Sequence, residues 1–239
     1  SFENIDIVFH AAAMKHVPIC EYDPLEAIKT NIIGTENVIK AAIAQKVRKV
    51  VTISSDKAVN PTTTMGATKL MAEKVTVDGN NYGGDYGGKF SCVRFGNVIA
   101  SRGSVIPLFL KQLEAGGPVT VTDKAMSRFF MSISEAAKLV LSTTEYMAGR
   151  EIFVLKSMQS IRIIDLAESM VAYFEEKTGK KIDIEIIGKR HNEKHLELLM
   201  TGVEMESALE DENFYLIPCN PSAHLDLDMS KTYPKFKKV

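Results

Sequence analysis

The tetrapeptide Ser54-Ser55-Asp56-Lys57 follows the strand-like run "KVVTI" and combines an acid with a base. A carboxyl group can donate a proton, and a lysine that loses solvent can give up its own. Ligands of open α/β sheets bind at the carboxyl ends of the strands, which is where this tetrapeptide is expected. On these four residues alone, a solvated ion pair in a loop is an equally good interpretation.

Met65 and Lys69 form a second pair, four residues apart and following Pro61. Their spacing predicts one shared face of a helix, about one turn apart. A thioether cannot act as an acid or a base near neutral pH. A methionine near a helix start is in most proteins a core residue, and a lysine is usually a surface charge. Only the complete run from 54 to 69, taken together, favours a catalytic role for these residues.

The elements that must position these residues alternate along the chain. Runs typical of buried strands occur at 6–10, 49–54, 90–95, 119–122, 152–155 and 182–187. Helical periodicity occurs over 25–43, from 65 onward and over 163–174, and a glycine-rich loop is predicted at 79–89. This order predicts an α/β protein with a doubly wound parallel sheet.

No G-x-G-x-x-G motif follows a strand in these residues, although a doubly wound dinucleotide-binding domain normally opens with one. The chain also begins directly with a strand. We therefore expect it to start partway through the fold, with about two βα units of roughly 30 residues missing. If Ser1 were the natural start, a partner polypeptide would be needed to complete the sheet.

Composition narrows the possible partners. The 239 residues carry 29 Lys and Arg against 30 Asp and Glu, a balance that predicts no nucleic-acid partner. No apolar run approaches the roughly 20 residues of a spanning helix, so we expect no membrane partner and a cytoplasmic protein. Cys20, Cys92 and Cys219 are predicted to be buried free thiols. His191 and His195 could share a helix face, but no third ligand follows, so no metal site is predicted.

Four blocks carry a resemblance to a known family: "VFHAAAMKHVPICEYDPLEAIKTNIIGTENVIKAA", "SSDKAVNPTTTMGATKLMAEK", "RFGNVIASRGSVIPLF" and "MSRFFMSISEAA". The four blocks occur in the family's order, and they resemble the extended short-chain dehydrogenase/reductase superfamily, which has a Rossmann-like fold. Within it they are similar to the C5-inverting UDP-N-acetylglucosamine 4,6-dehydratases of polysaccharide biosynthesis. The resemblance implies that residues 1–100 are the C-terminal portion of an NAD(P)-binding domain. It implies that 101–239 form mainly the substrate-binding part, interleaved with the same sheet.

The resemblance also implies roles for individual residues. It implies a catalytic set made of Asp56, Lys57, Met65 and Lys69. It implies a cofactor-binding set made of Ala11, Ala12, Ala13, Asn31, Ser54 and Lys69. It implies a set that holds the nucleotide-sugar, made of Lys15, His16, Asn97, Ser101, Arg102, Gly103, Ser104, Val105, Arg128 and Arg190.

The implied reaction is dehydration of UDP-N-acetylglucosamine to a UDP-4-keto-6-deoxy-hexosamine with inversion at C5. Asp56 would be the acid and Lys57 the base. Met65 stands where the superfamily usually has the tyrosine that deprotonates the 4-hydroxyl, although some inverting members also have methionine. Lys57 is then the best candidate to accept that proton. A second departure lies at Arg190, where "GKRHNEKHLELL" replaces the family's "RPGEK" stretch.

The resemblance further implies NADP as the cofactor, with NAD possible, a UDP-sugar as the partner and a homo-oligomer, either a dimer or a hexamer. Two alternatives stay open. The first is a UDP-sugar 4- or 5-epimerase on the same fold, but an acid beside the base favours loss of water. The second is a fragment without turnover, because the dinucleotide motif is absent from these residues.

Overall fold

The computed structural model describes residues 2–83, 86–219 and 229–239. Its strands, in chain order, are β1 (Ile7–His10), β2 (Lys49–Ile53), β3 (Lys89–Arg94), β4 (Asn97–Val98), β5 (Val119–Val121), β6 (Ser127–Met131), β7 (Glu151–Leu155), β8 (Gln159–Arg162), β9 (Ile184–Ile186), β10 (Leu209–Glu210), β11 (Phe214–Pro218) and β12 (Lys237–Lys238).

The α-helices, in chain order, are α1 (Val17–Tyr22), α2 (Pro24–Ile28), α3 (Gly34–Ala44), α4 (Thr64–Gly83), α5 (Val105–Glu114), α6 (Ile133–Tyr146), α7 (Ile163–Thr178), α8 (Gly202–Ser207) and α9 (Met229–Thr232). A π-helical turn, Lys29–Ile33, joins α2 to α3, and a 3-10 turn, Asp56–Ala58, follows β2.

The chain divides into two compact units. The first takes its residues from Ser1–Phe95, Ser134–Ser157 and Leu198–Val239, and the second from Gly96–Ile133 and Met158–Glu197. The sequence-based division at residue 100 into a cofactor part and a substrate part stays a prediction.

The first unit is built on a sheet with the order β1-β2-β3-β7-β11-β10-β12. β1, β2, β3 and β7 are parallel, whereas β11, β10 and β12 continue the sheet in antiparallel pairs. Val47, Val50 and Phe90 are fully buried and pack with Ile39 of α3. A mostly parallel sheet with helices is the predicted α/β fold, and its carboxyl edge at Ile53 and Arg94 positions the candidate site.

The second unit contains two small sheets. β4 pairs in parallel with β6, which pairs antiparallel with β8, and β5 pairs in parallel with β9. Helices α5 and α7 pack on this unit's core, which includes Phe109, Leu113 and Ala167. The strands expected at 119–122 and 182–187 are therefore present, but they form their own pair and do not belong to the main sheet.

Two local predictions are wrong. Helix α4 continues through Gly79–Gly83, where the glycine-rich loop was predicted, and residues 84–85 of that loop lie outside the described residues. The glycines permit close packing, because a Cβ at Gly79 would lie 2.8 Å from Ile39 Cγ2. His191 and His195 do not share a helix face, because residues 189–201 contain only turns and irregular backbone.

The cysteine prediction is confirmed for two residues. Cys20 and Cys92 are buried free thiols, while Cys219 is a free thiol that is only partly buried. Burial raises the pKa of Cys219 to about 12. A thiol with so high a pKa is a poor nucleophile near neutral pH.

Candidate active site

The candidate acid–base loop, Ser54–Lys57, leaves the sheet at the carboxyl end of β2. Val50, Val51 and Thr52 are buried inside the sheet. Two main-chain bonds fix the loop to the neighbouring strand end: the Ser54 N–H donates to Val93 O over 2.7 Å, and the Asp56 N–H to Phe95 O over 3.0 Å. Ser55 then caps the 3-10 turn, its Oγ accepting the Lys57 N–H.

Asp56 is fully buried, and its two carboxylate oxygens differ in their surroundings. Oδ1 accepts Lys57 Nζ at 3.0 Å and Ser55 Oγ at 2.9 Å. Oδ2 is buried without a hydrogen-bond partner among the described residues. An unpaired buried carboxylate oxygen is costly, so it identifies a position where a ligand hydroxyl or a proton would be stabilised.

Lys57 connects this buried acid to the surface. Its side chain is 21% exposed, while that of Asp56 is 0% exposed. The ammonium group therefore lies between the buried carboxylate and the surface of the first unit. This arrangement brings together the acid and the base expected from the sequence.

Helix α4 supplies Met65 and Lys69 to the same region. Lys69 Nζ donates to Ile53 O, the last carbonyl of β2, over 2.5 Å. Burial lowers the pKa of Lys69, and the nearby Cys92 and Glu73 oppose this shift. Met65 is 4% exposed and packs against Cys20 and Ala27. Lys69 thus lies beside the acid–base loop, and Met65 is a packing residue at the start of the helix.

Helix α4 can approach the acid–base loop closely because Gly66 has no side chain. A Cβ at this position would overlap the carbonyl oxygen of Lys57 and would lie 3.1 Å from the Cβ of Pro61. The first turn of α4 therefore rests directly on the backbone of the acid–base loop. A side chain here would displace Lys57.

The residues expected to bind a cofactor divide into two groups. Ala11 and Ala12 are exposed and Ala13 is half-buried, directly after the carboxyl end of β1. Asn31 and Ser54 are buried and bound within the protein. Asn31 accepts the Met14 N–H at 2.7 Å and donates to Met14 O and Thr68 Oγ1, both at 3.0 Å. Asn31 therefore clamps the segment after the alanines to α4.

The other expected substrate residues of the first unit lie at the start of α1. Lys15 is exposed, and His16 is half-buried at the N-cap position of α1. The preceding residue Met14 is held by Asn31, as described above. Lys15 and His16 therefore follow a fixed backbone segment that itself follows β1.

In the second unit, the segment 101–105 forms the approach to α5. Gly103 has a φ of +70°, a conformation that favours glycine, and Ser104 is the N-cap residue. Ser104 Oγ is buried and makes no hydrogen bond with the described residues. The free N–H groups at the start of a helix favour anions, so this end of α5 suits a phosphate. Asn97 begins β4 in the same unit.

Arg128 and Arg190 differ in accessibility within the second unit. Arg128 is 7% exposed, and its Nη1 donates to Ser127 O at 2.7 Å and His195 O at 3.2 Å. Glu193 pairs with Arg128 at 3.5 Å. Arg190 is exposed, and its N–H donates to Glu193 Oε2. Arg128 therefore holds the segment 193–195 in this structure.

Sequence reasoning missed a buried network beside the acid–base loop. Glu73 and Arg94 are each 1% exposed and form a two-bond ion pair, with Nη2 to Oε2 at 2.8 Å and Nε to Oε1 at 3.1 Å. Ser54 Oγ donates to the same Oε1 at 2.5 Å. A charged residue inside the apolar run "FSCVRF" was a signal for it, because buried arginines need partners.

His10 was also missed, although it ends β1 beside the exposed alanines. It is 7% exposed, and its Nε2 lies 2.9 Å from Thr35 Oγ1. Thr35 donates its one hydroxyl proton to Asn31 O, so we assign the proton of this contact to His10 Nε2. Burial and the nearby charge of Lys69 lower the pKa of His10, which keeps the ring neutral.

Comparison with known proteins places the chain in a family. The sequence profile of the polysaccharide biosynthesis proteins matches residues 1–218. The chain belongs to the polysaccharide biosynthesis protein family. It is 51% identical over 220 residues to an uncharacterized membrane protein of Methanocaldococcus jannaschii, covering 91% of this chain and 66% of that protein. Within the described residues, no helix has both the length and the apolar character needed to span a bilayer.

Two further relatives have names that describe a role. The capsular polysaccharide biosynthesis protein CapD of Staphylococcus aureus is 48% identical, covering 87% of this chain and 34% of CapD. A UDP-glucose 4-epimerase of Rickettsia bellii is 42% identical, covering 100% of this chain and 67% of the epimerase. This member of the polysaccharide biosynthesis family thus spans between one third and two thirds of its relatives' lengths.

Solved structures confirm the fold. Pen from Bacillus thuringiensis is 49% identical with a TM-score of 0.88, covering 93% of this chain and 68% of Pen. DesIV, a dTDP-glucose 4,6-dehydratase from Streptomyces venezuelae solved with NAD and TYD bound, is 17% identical with a TM-score of 0.71. That alignment covers 97% of this family member and 73% of DesIV, and it supports the Rossmann-like fold alone.

Proposed function

We propose that this chain carries the acid–base site of an NADP-dependent nucleotide-sugar dehydratase, which removes water from UDP-N-acetylglucosamine and inverts C5. One observation carries the proposal: a fully buried carboxylate, Asp56, has one oxygen without a partner and lies 3.0 Å from the ammonium group of Lys57. An acid and a base in contact are what elimination of water requires, because one proton is removed and another is delivered.

The proton transfers assign one role to each residue. Once C4 carries a keto group, the proton at C5 becomes acidic, and Lys57 in its neutral form removes it. Asp56 in its protonated form delivers a proton to the departing C6 hydroxyl. The buried Oδ2 has no other partner among the described residues, which favours its use as that donor. Met65 cannot take the 4-hydroxyl proton, so Lys57 is proposed to accept it first and to pass it to Asp56 across their 3.0 Å contact, which leaves Lys57 neutral and Asp56 protonated for the loss of water. Solvent then supplies a proton to the opposite face of C5 and takes the proton that Lys57 removed.

The cofactor proposal is supported by the surface after β1. The small side chains of Ala11–Ala13 leave the carboxyl end of this strand open, which is where cofactors bind in α/β sheets. When bound, NADP would accept a hydride from C4 of the sugar and return it at C6. Ala11–Ala13 would contact it, and Lys69, fixed on Ile53 O, would orient its nicotinamide ribose.

The nucleotide-sugar proposal rests on the approach to α5 and on the basic residues. The N–H groups at the start of α5 and the unpaired hydroxyl of Ser104 would bind diphosphate oxygens. Arg102, which is exposed, would add a fork of donors. For Arg128 to bind phosphate, it would have to exchange its contact with Glu193 for one with the substrate.

The test compares single substitutions in the full-length protein. We expect Lys57→Met and Asp56→Asn each to lower kcat for water loss by at least about 100-fold, the usual contribution of a positioned acid or base. Lys40→Met, on the exposed Glu36–Lys40 pair of α3, is the matched control and should leave the rate unchanged. The proposal fails if Lys57→Met keeps full rates of both hydride transfer and C5 proton exchange.

A 4- or 5-epimerase is the second candidate, favoured by the identity of 42% with the Rickettsia bellii UDP-glucose 4-epimerase along the whole chain. An epimerase needs the keto intermediate but no departing hydroxyl. Asp56→Asn should therefore abolish a dehydratase and largely spare an epimerase. A product of unchanged mass with altered configuration would decide for the epimerase.

A further inference from the structure

We infer that Ser54 and Glu73 are positioning residues, which hold the acid–base loop in its reactive geometry. Ser54 does so by a hydrogen bond to the Glu73 carboxylate, which an ion pair with Arg94 keeps in place. The inference rests on the proposed function and deepens it. Neither residue is assigned to touch the reacting sugar atoms. Their proposed effect on the reaction passes through Asp56 and Lys57.

The geometry begins with Ser54, whose main chain and side chain are both fixed. Its N–H donates to Val93 O at 2.7 Å, and its Oγ donates to Glu73 Oε1 at 2.5 Å. Ser54 is 4% exposed, so neither bond competes with bulk water. Asp56, two residues later, donates its N–H to Phe95 O at 3.0 Å. The backbone that carries Asp56 is thus held against the end of β3.

Glu73 can serve as a fixed acceptor because Arg94 keeps it in place. The guanidinium binds both oxygens of Glu73, and its remaining donors go to Leu199 O at 3.0 Å and to Glu204 at 3.0 and 3.2 Å. Burial raises the pKa of Glu204, but the hydrogen bonds and charge of Arg94 together with the hydrogen bonds from Thr201 outweigh it, so the pKa of Glu204 is lowered. Two carboxylates therefore share one arginine, and Glu73 is not free to rotate.

The same helix joins this network to Lys69. Glu73 follows Lys69 by one turn of α4, and its charge partly opposes the lowering of the Lys69 pKa that burial causes. Lys69 in turn donates to Ile53 O, the residue before Ser54. Helix α4 therefore binds consecutive residues at the end of β2 through two different side chains. A shift of α4 or of Glu73 would move the start of the acid–base loop.

A matched pair of substitutions separates positioning from general stability. Ser54→Ala removes the bond to Glu73 and leaves the Glu73–Arg94 pair intact. Thr76→Val is the control, because Thr76 Oγ1 contacts Thr52 Oγ1 at 2.8 Å and also connects α4 to β2, two residues before Ser54. Both hydroxyls are buried, and each substitution removes one hydroxyl with little change in side-chain volume. Similar losses of stability are expected in the two variants.

Three readouts in the full-length protein decide the question. Ser54→Ala should lower kcat by about 10- to 100-fold, as expected for a small displacement of reacting groups, with KM for the UDP-sugar and for the cofactor unchanged. It should also speed hydrogen exchange of the Asp56 amide by about tenfold, a sign of local opening. Thr76→Val should change neither kcat nor exchange at Asp56.

The possible results have distinct meanings. Equal effects of both variants on kcat and on Asp56 exchange would overturn the inference, since the network would then serve stability only. A raised KM for the cofactor with unchanged kcat would also overturn it and would assign Ser54 to direct cofactor contact. If the unsubstituted protein shows no turnover, the proposed function fails, but the exchange measurement still decides whether Ser54 positions Asp56.

Discussion

At the scale of single residues, the main feature of the candidate site is a buried carboxylate whose two oxygens differ in their hydrogen bonds. Asp56 has one oxygen paired with Lys57 and one without a partner among the described residues. Such an asymmetric carboxylate is costly to bury and suits a group that exchanges a proton with a ligand. Met65 packs against Cys20 and Ala27, and its thioether cannot carry a proton near neutral pH. Under the proposed function, the acid–base work would therefore fall on two adjacent residues, Asp56 and Lys57.

His10 gives a prediction about pH. Burial and then Lys69 hold its pKa below the ordinary 6.5, so the folded state binds a proton less tightly than the unfolded chain. The stability that depends on neutral His10 is therefore complete above pH 6.5 and is lost as the pH falls below that value.

NMR titration of the His10 ring should give a pKa below 6.5, and Lys69→Met should raise it. In parallel, denaturant unfolding at several pH values should show that stability falls more steeply on acidification than in the His10→Gln variant. A ring pKa at or above 6.5 would contradict this description of the residue.

At the scale of elements, β3 and α4 are joined through Arg94, which also reaches the backbone and side chain of the segment 199–204. A buried arginine with two carboxylate partners contributes to stability through its ion pairs, because removing it leaves buried carboxylate charges without a partner. The capping box of α8, in which Thr201 and Glu204 bind each other's N–H groups, orients one of those carboxylates.

We predict that Arg94→Met lowers the free energy of unfolding by about 3–5 kcal/mol, because Glu73 is left buried without its partner. Adding Glu73→Met to this variant should recover part of the loss, since two apolar side chains then replace the ion pair. Denaturant unfolding measures both effects.

The exposed pair on α3 provides the comparison for Arg94. Lys40→Met breaks an i,i+4 ion pair of 2.6 Å whose side chains are well exposed. It should cost no more than about 0.5 kcal/mol. Equal losses for Arg94→Met and Lys40→Met would show that the buried network has no special part in holding β3, α4 and the segment 199–204 together.

At the scale of the whole molecule, the sequence predicted much of the main sheet and less of the rest. The strands β2, β3 and β7 follow buried apolar runs, which is a strong signal. β1 is also present where it was predicted, but its expected burial is wrong, because Ile7 and Phe9 are 39% and 40% exposed. β10 and β12 have only two residues each, too few for any periodicity. Helix α5 was not predicted, because Pro107 and the turn residues before it resemble a loop, although proline is tolerated in the first turn of a helix.

The candidate site was predictable where one short segment holds several groups, as in Ser54–Lys57. The Glu73–Arg94–Glu204 network was not, because its members come from distant parts of the chain and meet only through the fold. The roles of the residues in the second unit stay predictions. Among them, Arg128 binds Glu193 and His195 in this structure, and no spacing or periodicity in the sequence indicates these contacts.

The most direct test of the central claim is an incubation of the full-length protein with UDP-N-acetylglucosamine and NADP in deuterated water, followed by NMR and mass spectrometry. We predict loss of water, with deuterium at an inverted C5, in the unsubstituted protein, and neither event in Lys57→Met. A hexose recovered without water loss, or no exchange at C5 at all, would contradict the assignment of Asp56 and Lys57 as the acid and base of a dehydratase.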